Sequence, residues 1–338
     1  MALRWSWSFG AESFADLQSM GWTMQQNSSW WTQTTTNVYT YTGSPTRYGW
    51  EMLGIGYAYC ELPAAVTTTL SQGWIAVPAL ALSSYSGGRF LQVTSGSSNT
   101  RIEISTAGAL SLYVGNVFKE TSSAQDFSSW RYVSLQFDHS GATWSGRIYV
   151  DGSAVTNSQT QAVSAQTAST VLIQGALGTG GFRGHCFSQV IVWDSTSDAG
   201  ETAYYATRAE PTADGTDVGT WTPSTGSDDF AVVDSPFATA TYTQEASPSA
   251  NDRCEVVTST LATALGVTPG EVAGVTAHTY SEGETVTARA IVSVSGGTEA
   301  NGTSTSISAG STTYAFATDT ATYSGTDTID VIYEVVTV

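Results

Sequence analysis

Four kinds of side chain in this 338-residue chain could do chemistry: carboxylates, histidines, thiols and aromatic rings. Cleaving a glycosidic bond takes two carboxylates, about 5–5.5 Å apart for retention or about 6.5–9.5 Å for inversion. The strand-like run Arg101-Ile102-Glu103-Ile104-Ser105 supplies only one. Glu282 and Glu284 are two residues apart, but Ser281-Glu282-Gly283-Glu284 reads as a hairpin turn. Asp228 and Asp229 are neighbours, which point to opposite sides of an extended chain. The carboxylate pattern argues against a hydrolase. His139, His185 and His278 fall in separate segments, with no His-x-x-x-His or Cys-x-x-Cys pair among them. Cys60, Cys186 and Cys254 are odd in number and widely spaced, so they read as buried free thiols rather than a disulfide framework or a zinc site. The Gly-rich run 175–184 resembles a phosphate loop only superficially. It joins two strands, so no helix N-terminus is there to meet a phosphate.

Two weaker possibilities involve binding. Asp138, Asp151, Asp194 and Asp198 lie near loop positions, where calcium would take carboxylate and carbonyl oxygens. No dense Asp/Asn run accompanies them, and Asp151 fits a hairpin turn, so no cofactor is expected and calcium is the one metal to consider. Sugar binding needs exposed rings beside hydrogen-bonding groups. Trp30, Trp31, Tyr39 and Tyr41, with Tyr48 and Trp50, cluster in a Ser/Thr/Asn-rich region. On a strand, Trp30 and Trp31 face opposite ways, so one of them would look outward. Gln25, Gln26, Asn27, Ser28 and Ser29 flank the pair. The competing reading places these rings in a core or a subunit contact.

The elements that must position these residues are strands. Charged residues make up 12% of the chain, about half the usual share, while aromatics make up 11%. That combination argues for packed cores rather than disorder. The net charge is −18 and is uneven. From residue 209 onward there are 17 acidic groups against Arg253 and Arg289 alone. Clustered phosphate-binding cations are missing, so nucleic acid is not an expected partner, and no polybasic stretch favours anionic lipid. No apolar run approaches a membrane span, and Met1-Ala2-Leu3-Arg4-Trp5 does not begin a signal peptide. Synthesis in a cytoplasm without a signal peptide is the expectation.

Alternation marks the strands. Val133, Leu135 and Phe137 share one face, opposite Ser134, Gln136 and Asp138, and Ile148 and Val150 repeat the pattern before an Asp151-Gly152 turn. The runs Trp130–Asp138, Gly146–Gly152, Val171–Gly175 and Phe187–Asp194 follow in order. Their order resembles the second half of a laminin-G-like, concanavalin-A-type domain, with its Trp-initiated strand, "V-D-G" turn and closing "V-W-D". The likeness covers residues 1–208 and implies a jelly-roll sandwich, a fold that hosts lectins, glycosidases, adhesins and spacers alike. Retaining glucanases of this sandwich carry an "E-x-D-x-x-E" strand, which the strand around Glu103 does not match.

Ten of the eleven tryptophans lie between residues 5 and 193, and the last is Trp221. A polar Pro- and Gly-bearing connector over 209–221 divides domain 1–208 from an acidic domain over 222–338. In the second domain Val286, Ala288, Ala290, Val292 and Val294 alternate with polar residues. Ile329, Val331, Tyr333 and Val335 form an apolar face opposite Asp330 and Glu334. A helical turn is expected near Asp198–Thr207 and another near Cys254–Leu265. The fold class is all-β: an N-terminal concanavalin-A-like jelly roll plus a smaller C-terminal β-sandwich.

The string from Arg208 to Gly215, then Trp221-Thr222-Pro223 and Phe230–Asp234, resembles a layout in bacteriophage virion proteins. In those proteins a laminin-G-like domain is followed by an "r-P-x-x-D-G" connector and a compact β-domain. The end differs, because Asp319–Thr326 stands where many of them carry "P-x-T-G-x-x-W". The resemblance implies a non-enzymatic structural protein on the virion surface: a capsid decoration, head-fibre or tail-fibre component. Its partners would be other virion proteins and further copies of itself, with a trimer favoured. The alternatives are an adhesin for host surface glycans and an extracellular polysaccharide hydrolase.

Overall fold

The computed structural model describes residues 3–8, 17–18, 22–25, 31–34, 49–52, 59–67, 70–81, 87–168, 170–174, 185–187, 189–196, 211–229, 231, 243–260, 273–281, 284–319, 324 and 326–338. The chain divides into two compact units, the first reaching Ala206 and the second running from Thr207 to Val338. Both are β-structures. Every strand pairing among the described residues is antiparallel. Ala64–Thr67 is a single helical turn.

The first unit holds two sheets. One, of ten strands, runs from Ser153–Ala154 through Thr143–Val150, Arg131–Asp138, Gln72–Ala81, His185–Phe187 and Gly49–Met52 to Trp31–Thr34. The other, of seven, runs from Val117–Ala124 through Ala109–Val114, Ser98–Ile104, Gly88–Ser95, Thr170–Gln174 and Tyr59–Glu61 to Thr23–Gln25.

The sheets meet through the face that alternation marks. Val133, Leu135, Phe137, Ile148 and Val150 are all buried. Gly146 pairs with Phe137 on that face, and a methyl group at Gly146 would press on Thr100, Leu112 and Val114 of the opposite sheet. The missing side chain thus lets the sheets approach closely. The turn after Thr143–Val150 also behaves as read from the sequence: Asp151 and Gly152 take φ values of 49° and 79°, the left-handed pair of a tight hairpin.

One expectation is corrected. The side of Arg131–Asp138 opposite Val133 is not the open polar face that its alternation suggests, because Tyr132 and Ser134 there are also buried. A second apolar layer of Trp74, Ala76, Tyr132, Tyr149, Ile191 and Trp193 covers that side. Polar alternation misled here because a hydroxyl is small enough to be packed under aromatic rings.

The second unit holds a six-stranded sheet with Pro211–Asp214, Arg253–Thr258, Ile329–Thr337, Val286–Val294 and Ala300–Asn301 in order, and Thr305–Ile307 also on Val286–Val294. Ala273–Ser281 and Ser311–Asp319 make a nine-residue ladder of their own. Three expectations change here. Part of the expected connector is built into the sheet: Pro211–Asp214 pairs with Arg253–Thr258, and Val218 bridges Arg253. Over Cys254–Thr258 the expected helical turn is replaced by that same strand, whose β-branched run Val256-Val257-Thr258 favours extension, and residues 261–265 of that expectation lie outside the described residues. The turn expected near Asp198–Thr207 lies outside the described residues.

The third change concerns the last strand, whose acidic side is its more buried side. Glu334 and Asp330 are 2% and 7% exposed, while Ile329, Val331 and Tyr333 are half-buried. The reason is pairing. Glu334 takes both Arg253 and Arg289, and Asp330 accepts the Gly296 N–H at 2.7 Å. Both arginines after position 209 therefore meet on Glu334.

Candidate carbohydrate-binding face

Along Ala109–Val114 of the seven-stranded sheet the alternation of burial is strict, while Arg101 is buried among the outward positions of Ser98–Ile104. Thr100, Ile102, Ile104, Leu110, Leu112 and Val114 are buried between the sheets. Period two then sends Asn99, Arg101, Glu103, Ser111 and Tyr113 to the outer face. The register places Gln92 beside Arg101, Arg101 beside Tyr113 and Tyr113 beside Phe118, making one row across four strands.

The row is a connected set of contacts. The Arg101 guanidinium lies over the Tyr113 ring at 3.7 Å from its centroid. Phe118 meets the same ring edge-on, with centroids 5.6 Å apart. Arg101 donates from Nε to Glu103 Oε1 at 2.8 Å and from Nη1 to Asn99 Oδ1 at 3.0 Å. Arg89 approaches the same Glu103 oxygen at 3.8 Å and reaches Gln92 at 3.5 Å. Gln92 in turn donates to Thr94. Two guanidiniums thus face one carboxylate, a local excess of positive charge on a strongly acidic protein.

Burial and charge act on the titrating groups. Burial, and then the Arg101 charge, lower the Arg89 pKa. Burial, followed by the neighbouring Glu103, raises that of Tyr113. Arg101 is 9% exposed and Phe118 is 53% exposed, so a fixed guanidinium sits beside an open ring. Phe118 is the only exposed aromatic residue among those whose burial is described. It owes this position to the Gly115-Asn116 turn, where both residues have positive φ and the chain reverses tightly.

The rings singled out from the sequence stand elsewhere. Trp31 opens the edge strand Trp31–Thr34, opposite Met52. Trp30, Tyr39 and Tyr41 lie outside the described residues, as does Asp198 of the calcium candidates. Asp151 is occupied, accepting from Arg131 Nη1 and the Tyr132 N–H, both at 2.8 Å. Asp138 accepts from the Ser140 N–H and hydroxyl. Asp194 follows Trp193 at the end of its strand and is half-buried.

His139 is buried and bonded at both ring nitrogens. Its two ring nitrogens meet Ser95 Oγ at 2.9 Å and Thr100 Oγ1 at 2.8 Å, and its ring stacks on Trp144. Burial lowers its pKa to about 4. A cavity of about 340 Å³ near it, lined by Ser71, Ser140, Ala165, Gln166 and Thr167, offers amide and hydroxyl groups without a ring or a charge.

No sequence signal singled out Phe118. It follows a turn in an ordinary strand, and only the register shows that Arg101, Tyr113 and Phe118 form one surface.

No protein-family description matches the chain, and no curated protein matches it. Among solved structures, Trypanosoma rangeli sialidase is similar over 58% of this chain and 31% of its own, at 11% identity and a TM-score of 0.39. In its complex with 2,3-difluorosialic acid the figures are 47%, 27%, 13% and 0.38. The Ruminococcus gnavus IT-sialidase CBM40 bound to alpha2,3 sialyllactose is similar over 44% of this chain and 89% of its own, at 19% identity and a TM-score of 0.32. The chain spans less than a third of the sialidase's length. No residue of this chain takes a role from these likenesses.

Proposed function

We propose that the first unit binds carbohydrate without cleaving it, on the outer face of its seven-stranded sheet. One observation carries the reading: Arg101 is locked over Tyr113 next to the exposed ring of Phe118. A sugar presents an apolar C–H face and a rim of hydroxyls. An open ring takes the first, and donors and acceptors held at fixed positions take the second. Arg101, Glu103 and Asn99 are held by one another, and Gln92 by Arg89 and Thr94, so little ordering remains for a ligand to impose. The two guanidiniums around one carboxylate favour an acidic sugar over a neutral one.

The site binds rather than reacts. Glu103 is engaged by both arginines, and no second carboxylate among the described residues joins the cluster. The setting we propose is the surface of a phage particle, with synthesis in the host cytoplasm. The order of sandwich, connector and acidic β-domain follows the virion layout named above. Displayed copies, as trimers and next to other virion proteins, would multiply a weak single contact.

A glycan array with neutral, uronate-bearing and sialylated members tests this. Binding that weakens by roughly tenfold or more in Phe118→Ala is expected, given the usual size of an aromatic contact. Silence of the wild type on the array, or binding indifferent to Phe118 and lost in Trp31→Ala, overturns the assignment to this face.

A further inference from the structure

In the second unit Asp217, Asp229 and Cys254 place a ligand atom each within 4.8 Å of one another. We infer that these three side chains form a binding site for a divalent cation of the zinc class, built from two carboxylate oxygens and a thiolate. The donors come from three separate stretches of chain. Asp217 lies in the segment that follows Pro211–Asp214, Asp229 in the loop before residue 231, and Cys254 on the Arg253–Thr258 strand.

Two features separate this cluster from an ordinary patch of surface acids. The first is the thiol. Cys254 is nine-tenths buried, free, and turned towards the two carboxylates with no hydrogen-bond partner among the described residues. A thiol packed for its apolar character alone would turn towards hydrocarbon. The second is orientation from behind. Asp217 Oδ1 accepts the Glu255 N–H at 2.9 Å, and Asp229 Oδ1 accepts the Thr243 hydroxyl at 2.8 Å. Each carboxylate is pinned by a neutral donor, as outer-shell groups pin metal ligands.

The donor set selects the ion. Thiolate sulfur is a poor ligand for calcium or magnesium, which take oxygen, and a good one for zinc. Ligand atoms around tetrahedral zinc lie roughly 3.5 Å apart, a spacing that atoms within 4.8 Å of one another reach by small side-chain adjustments. Asp217 is exposed, leaving a fourth position for water on that side. Binding displaces the Cys254 thiol proton to solvent, since the thiolate is the ligand. Without a cation, burial and the adjoining Asp229 raise the Asp217 pKa to about 6. Burial, then Asp217 and Asp229, push the Cys254 thiol well up. A bound cation relieves that repulsion and ties the 211–229 segment to the sheet.

The test uses the purified full-length protein, stripped with chelator and titrated with cobalt(II). A thiolate-to-cobalt charge-transfer band with tetrahedral visible absorption is expected, displaced by zinc and unaffected by calcium. Cys254→Ser should abolish the band. Asp217→Asn, at an exposed position, should weaken cobalt at least tenfold with the fold intact by circular dichroism. A folded wild type that gives no band, a band that survives in Cys254→Ser, or unchanged cobalt affinity in Asp217→Asn overturns the site.

Discussion

Arg253 holds its Nε 2.9 Å from Oε1 of Glu334, a carboxylate only 2% exposed on the last strand. Arg289 takes the other oxygen from the neighbouring strand, and Arg253 also reaches Glu299 at 2.7 Å. Burial alone would raise the Glu334 pKa, but the two guanidiniums hold it below the usual carboxylate range. A depressed carboxylate stabilises the fold above its unfolded pKa of about 4.3, and that contribution is lost as pH falls through the folded value. Glu334→Ala leaves two arginines facing each other, so we expect a loss of about 3–5 kcal/mol in denaturant titration of the second unit. A loss under about 1 kcal/mol would show that the ion cluster is not structural.

The two sides of that strand also show what a sequence reveals and what it hides. Apolar alternation at Val133, Leu135, Phe137, Ile148 and Val150 identified the face of the first core, because small apolar positions at period two have no other stable destination. The same logic put Glu334 outside. It failed because Arg253 and Arg289 arrive from strands 81 and 45 residues away, a pairing that local spacing does not encode. The candidate site was hidden likewise. Arg101 and Tyr113 are ordinary residues until the register sets one over the other, and Phe118 owes its exposure to a turn rather than to its neighbours in sequence.

Phe137→Ala tests the first core directly. Phe137 is fully buried and pairs with Gly146, which abuts Thr100, Leu112 and Val114 of the other sheet. The cavity left should cost about 3–5 kcal/mol. Denaturant titration giving less than about 1 kcal/mol would place Phe137 off the inter-sheet face.

His139 sets a pH window for the same unit. Its pKa falls from 6.5 to about 4, through burial, against the opposing pull of Asp138. A lowered pKa on a base means the unfolded chain takes up the proton first. Stability is complete above about pH 6.5 and declines as pH falls towards about 4, by about 3 kcal/mol in all. Stability measured across that window should therefore slope in the wild type and flatten in His139→Gln. An equal slope in both proteins would assign the effect to other groups.

The connector should behave as sheet. Gly215 N–H donates to Glu255 O at 2.7 Å, and Val218 N–H to Arg253 O at 2.9 Å. Hydrogen exchange at Gly215 and Val218 should be slow, comparable to that of the Arg253–Thr258 strand it pairs with. Exchange of these two amides at the rate of unstructured peptide would restore the free linker expected from composition.

The final expectation separates charge from shape on the proposed sugar face. Arg101→Lys keeps one positive charge but removes the planar group that lies over Tyr113 and forks to Glu103 and Asn99. Arg101 is only 9% exposed and engaged by Tyr113, Glu103 and Asn99, so some stability is lost with it, and binding is compared at a temperature where both proteins remain folded. Glycan binding should weaken by roughly tenfold or more, because a lysine neither holds the Tyr113 ring nor fixes both polar neighbours. If an acidic sugar were drawn by charge alone, Arg101→Lys would bind as the wild type does, and raised salt would weaken both equally. Loss of binding at constant charge, with the fold intact by circular dichroism, is the outcome that assigns recognition to the fixed geometry of this face.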